Sequence, residues 1–92
     1  MDDPQVIWTD YMRFRAQLRG FDLADVERIL RYSSERYVDT ATGSLVAVGR
    51  QGDRLIMAPY EREGDALTPV TVHQTTRQQI NFRVRSGRFR HE

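Results

Sequence analysis

Between Thr9 and Arg19 the apolar residues recur at helical spacing, with Tyr11, Phe14 and Leu18 at i, i+3 and i+7. This predicts a first helix buried along that stripe. Gly20 supplies its stop, because glycine most readily takes the left-handed conformation that follows a helix. Asp22, with Asp25 three residues on, then caps a second helix whose buried face is Leu23, Val26, Ile29 and Leu30. Phe21, just before the cap, can staple onto Val26. The two helices are expected to lie on one face of a sheet through Leu18, Val26, Ile29 and Leu30. Residues 1–5 read as a loose lead-in.

After Ser33 and Ser34 the period shortens to that of strands. Arg36–Thr40 is the first, closed by the turn at residues 41–43, and Leu45–Arg50 is the second. Gln51, Gly52 and Asp53 form a tight connection to a third strand, Arg54–Glu61. A turn at residues 63–65 leads to a fourth, Leu67–His73. Pro59 and Pro69 each remove a ladder donor and so predict edges or bulges in the last two strands. From Thr75 the period is helical again, with Ile80 and Val84 at i, i+4 and Gly87 as the end. Thr75 and Thr76 each precede a glutamine by three residues, Gln78 and Gln79, which is the capping-box arrangement. The expected fold is α+β in the order ααββββα, a single domain over residues 1–92 with a small, mostly antiparallel sheet between or beside its helices.

Composition narrows the function classes. In 92 residues, 39% hydrophobic and 29% charged, there is apolar material for a single core, and length rules out a second domain. No cysteine is present, which excludes disulfides, thiolate metal sites and a cysteine nucleophile. The two histidines, His73 and His91, make no recognisable metal motif, and no cofactor motif is found. No apolar run approaches the roughly 20 residues of a membrane span, and the start lacks the basic and apolar regions of a signal peptide. A soluble, cytoplasmic protein with no membrane partner is expected.

All 14 basic residues are arginine. A GC-rich genome would account for the choice, but the physical consequence holds regardless of cause. Every cationic contact is made by a planar fork that can grip phosphate or carboxylate with two hydrogen bonds. The charge is also lopsided. Residues 77–92 hold five arginines against one acid, a net of +4, whereas residues 1–76 carry a net of −3. A basic end on a mildly acidic body suits an anionic partner; it also suits a solvated helix face.

The stretch from Val70 to Gln79 is the richest in chemistry. A strand ends at His73, and a helix opens soon afterwards with Arg77 in its first turn, where the helix dipole opposes a cation. A bound anion would relieve that conflict; so would an acidic side chain such as Asp39 or Glu61. His73 titrates nearest neutrality and can serve as general base or acid, or can be an ordinary half-buried strand residue. Arg15 and Arg19 share one face of the first helix and can clamp a phosphate or pair with nearby acids. Tyr60 is expected on a strand beside Val72 and His73, able to stack on a base or to pack. Arg83, Arg85 and Arg88 are candidate RNA contacts in the basic end. The candidate catalytic set is therefore His73, Arg77, Arg15 and Tyr60, and the RNA-binding set Arg19, Arg83, Arg85 and Arg88.

Three stretches together resemble one family. Trp8–Asp22, with Arg15, Arg19 and Gly20, is similar to the opening H-A-x-x-R-x-x-x-R-G-I helix of small bacterial proteins related to the BrnT toxins, within the RelE/ParE-like superfamily. Leu45–Met57, with Ala47 and Gly49, resembles their central hairpin, and Val70–Gln79 their V-x-T-x-x-P-x-T-R-x-E ending. Tyr11 stands where many relatives carry a histidine. The resemblance implies a microbial ribonuclease-like domain, metal-independent cleavage of RNA through the ribose 2′-OH, and a cognate antitoxin as partner. Such chemistry needs a base and cations at the phosphate.

Overall fold

The computed structural model describes residues 3–92; Met1 and Asp2 of the expected lead-in lie outside the described residues. The rest of that lead-in is not loose, because Gln5–Val6 forms a short strand, β1. Helix α1 (Asp10–Leu18) starts at Thr9, whose hydroxyl accepts from the Met12 N–H at 3.1 Å. Its buried residues are Met12 and Ala16, while the predicted stripe of Tyr11, Phe14 and Leu18 faces solvent, Leu18 at 69% exposure.

The end of α1 explains this correction. Gly20 (φ 81°) donates to the Gln17 carbonyl and Phe21 to that of Ala16, a Schellman motif. In that motif the residue after the glycine packs back on the last turn. Buried Phe21 therefore selects the face that contains Ala16 and, four residues earlier, Met12.

Helix α2 (Leu23–Tyr32) follows the sequence expectation. The Asp22 carboxylate accepts from the Asp25 N–H at 3.1 Å, and Val26, Ile29 and Leu30 are buried. Beyond it run β2 (Glu35–Asp39), β3 (Leu45–Gln51), β4 (Arg54–Glu63), β5 (Ala66–Pro69), β6 (His73–Thr75), helix α3 (Arg77–Arg85) and β7 (Phe89–His91). The sheet order is β1-β5-β4-β3-β2-β7, with β6 pairing the first half of β4. Among the described residues only the β1–β5 pair is parallel. The observed domain is α+β and mostly antiparallel, with three more strands than expected.

Two of the departures have a backbone cause. The predicted strand Leu67–His73 is split into β5 and β6, and Pro59 sits opposite the break. The Val70 N–H donates to the Pro59 carbonyl at 2.8 Å, so the donorless Pro59 nitrogen faces the gap, where no ladder bond is lost. Tyr60, the next residue, pairs with Pro69. Its own polar groups face β3, so the Pro69 nitrogen points away from β4, beyond the end of β1. The third departure, β7, arises because Gly87 (φ 80°) returns the chain to the sheet and buries Phe89 beside β2.

Alternation along the strands feeds two apolar clusters, one on each face of the sheet, in place of the single core that composition suggested. Ala47, Ile56, Ala58 and Tyr60 face α1 and α2, whereas Tyr37, Val46, Val48 and Leu55 face Ile80 of α3 and Phe89. The sheet is thus covered on both faces. Where α2 crosses β3, a Cβ added at Gly49 would stand 2.7 Å from Cγ1 of Ile29, a residue only 1% exposed. Gly49→Ala is therefore expected to destabilise the fold by about 1–3 kcal/mol through overpacking. Chemical denaturation of the variant measures it, and unchanged stability would place the helix farther from the sheet.

Candidate nucleic-acid interface

Strand β6 is paired on one side only, so His73 lies at a sheet edge. Its register partner is Met57, which places its side chain on the α3 face. Three arginines come to this edge from both sides of the sheet. From the C-terminal end of α1, Arg19 donates to the Val72 carbonyl at 3.3 Å. From α3, Arg83 brings Nη1 within 3.1 Å of the Met57 sulfur, directly beside His73 in the ladder. Arg15 lines a cleft with Arg19, Val70 and Thr71. The Thr71 hydroxyl is 3.2 Å from Nε2 of His73, so one lining residue of the cleft touches the imidazole.

Among the described residues Arg15, Arg19 and Arg83 have no carboxylate partner. Burial holds the His73 imidazole below its ordinary value, and the charges of Arg19 and Arg83 lower it further. Its neutral form is therefore favoured relative to a free imidazole, with two arginine charges nearby.

The structure does not bring Arg77 or Tyr60 to this edge, which corrects both assignments. Arg77 does open α3, capped by Thr76 through the Gln79 N–H at 3.1 Å. Its guanidinium, however, grips Glu35 with two hydrogen bonds of 2.6 and 3.0 Å. The anion that the helix dipole and the arginine invite is thus a side chain of the protein. Glu35 also accepts from the Tyr37 hydroxyl at 2.7 Å. Burial opposes its charge, but Arg77 and Tyr37 together hold its carboxyl below the usual range. Tyr37 is correspondingly pushed up to about 12, by burial first and by that hydrogen bond second. His73, Met57, Val48 and Glu35 form one row across the sheet. Three strand spacings, roughly 14 Å, separate the two ends of that row.

Tyr60 is fully buried on the opposite face, under α1 and α2, paired with Leu45 and Pro69 and not with His73. Its hydroxyl accepts from Arg36 Nη1 at 2.9 Å, and the same guanidinium donates to the carbonyls of Ser33 and Leu30 at the end of α2. It cannot meet a base or a phosphate. Arg88 is likewise engaged, donating to both oxygens of Asp39 at 2.7 and 3.1 Å. That pairing, with the Ala41 N–H, holds the Asp39 carboxyl low against its burial. Arg85 remains exposed on α3.

Comparison with models of known protein families, with curated proteins and with solved structures found no match. The site therefore rests on its own geometry. Among the described residues no three His, Cys, Asp or Glu side chains gather where they could hold a metal ion, and no helix is long and apolar enough to cross a membrane.

Sequence reasoning missed Thr71 and Glu35. Thr71 carries the signal of any hydroxyl two residues before a strand histidine, which is weak. Glu35 has none, because its meeting with Arg77 spans 42 positions and depends on where α3 crosses the sheet.

Proposed function

We propose that this protein is a toxin-like endoribonuclease, with His73 as the base and Arg19, Arg83 and Arg15 as the cations at the scissile phosphate. The observation that carries the reading is a half-buried imidazole at a sheet edge, beside arginines that have no carboxylate partner among the described residues. His73 takes the proton of a ribose 2′-OH, the 2′ oxygen attacks phosphorus, and the bond to the 5′ oxygen breaks. The 5′ oxygen leaves with a proton from solvent or from the imidazolium, yielding a 2′,3′-cyclic phosphate. The arginines stabilise the charge that develops on the phosphoryl oxygens. The resemblance to BrnT-related toxins adds a cognate antitoxin, which would cover this basic edge.

The scarcity of proton-transfer groups at the edge favours a second reading, a non-catalytic relative that binds RNA or protein through the same surface. Among the described residues His73 is the one imidazole at the edge and Tyr60 is on the other face; on the resemblance to BrnT-related toxins, Tyr11 stands where a histidine is expected.

Salt dependence tests the common part of both. Binding of an uncleavable 2′-O-methyl RNA octamer should weaken linearly in log–log terms as salt rises. Neutralising Arg15, Arg19 and Arg83 together should flatten that slope by about two units, at about 0.7 per single-strand contact. Arg85→Gln, on the exposed outer side of α3, should leave the slope nearer the parent's. An unchanged slope in the triple variant would remove the phosphate site. Formation of cyclic phosphate from an unmodified octamer then separates the enzyme from the binder.

A further inference from the structure

The cleft beside His73 has a shape and lining that phosphate binding does not require. It measures about 170 Å³ and runs between α1 and the segment joining β5 to β6. Its floor is apolar, formed by Met12, Ala16 and Val72, all nearly inaccessible. Its rim carries an exposed aromatic ring, Tyr11, at 65% exposure, and Val70 at 47%. The Arg15 guanidinium lies 5.7 Å from the centre of the Tyr11 ring, adding a planar cation to the same wall. Exposed apolar side chains over an apolar floor, edged by cations, suit a flat, polar-edged ring attached to an anion.

We infer that this cleft holds one unpaired pyrimidine base of a single-stranded RNA, stacked against Tyr11, while the neighbouring phosphate lies at Arg19 and His73. The inference rests on the RNA reading above and assigns its substrate side. Size supports a single ring, since a cavity of roughly 150 Å³ accommodates benzene. Connectivity supports one nucleotide spanning both places, because Thr71 lines the cleft and hydrogen-bonds His73. A base in a duplex is stacked on both faces, so the base that enters must be unpaired.

The test uses three fluorescent octamers of equal charge. One is a wholly abasic ribose-phosphate chain, and the other two carry a single uracil or a single adenine at a central position. The folded protein should bind the uracil probe about 5- to 150-fold more tightly than the abasic one, the range for one base–aromatic stack. It should bind the adenine probe less tightly than the uracil probe. Tyr11→Ala should bring the uracil probe to the abasic affinity with the salt slope unchanged, and Tyr11→Phe should retain the preference. Because Tyr11 is exposed, both variants should melt like the parent. Equal affinity for uracil and abasic probes, with the arginine-dependent salt slope intact, would overturn the base site and leave the phosphate site standing. Preference for adenine would overturn the single-ring assignment. Absence of salt-dependent binding to any probe would overturn the RNA reading and this inference with it.

Discussion

Replacing His73 with alanine should slow RNA cleavage by about 100- to 10,000-fold, the usual contribution of a positioned general base. Affinity for the uncleavable octamer should change little, because in the proposed site Arg15, Arg19 and Arg83 hold the phosphate. The expected loss is therefore in kcat more than in KM. His73 is half-exposed and pairs only with Thr71, so its removal leaves both cores in place. The pH profile supplies an independent check. A base must be neutral to act, and burial together with Arg19 and Arg83 holds this imidazole below its ordinary value. The acid limb of kcat/KM should consequently lie below about 6.5, where an unperturbed histidine would put it. Arg83→Gln removes one of the charges that depress it and should move the limb upward. Between the depressed value and about 6.5 the unfolded chain binds more protons than the folded one, so His73 makes the fold less stable as pH falls through that window. Activity unchanged in His73→Ala, with cyclic phosphate still formed, would show that another group serves as base.

Parts of this site were legible in the sequence because they are local. The Thr76 cap and the shared face of Arg15 and Arg19 follow from spacing alone, whereas His73, expected to close a strand, instead opens β6 after the break. What could not be read is which cations remain free. Arg77 and Arg88 both count toward the net charge of +4 over residues 77–92. Each is neutralised by an acid more than 40 positions away, Glu35 and Asp39, on the one strand that α3 and β7 both approach. A charge count along the chain treats such residues as part of the basic surface, whereas folding removes them from it. Arg19 and Arg83, far apart in sequence and on opposite faces of the sheet, become neighbours of one histidine only because β6 is an edge that both helices can reach around.

The same division between local and tertiary information governs the first helix, and it separates two leucines that periodicity treats alike. Replacing Leu30 with alanine should cost about 2–5 kcal/mol, as expected for a large-to-small change at a filled core position. Leu30 is fully buried between α2 and the sheet, and Val26, Ile29 and Ala47 belong to the same cluster. Leu18→Ala should change stability by no more than about 0.5 kcal/mol, because its side chain already faces water. Hydrophobic spacing gave the Tyr11–Phe14–Leu18 stripe more weight than Met12 and Ala16, since alanine contributes little apolar signal. Alanine is nonetheless the residue that lets a helix approach a sheet closely, and the turn at Gly20 folds Phe21 onto that same side. The exposed stripe is then left for other work, and Tyr11, at its start, forms the wall of the cleft beside His73. Paired urea denaturations of the two variants decide the matter. A loss in Leu18→Ala matching that in Leu30→Ala would mean that α1 is turned by about one residue's rotation and that the cleft does not have the lining described.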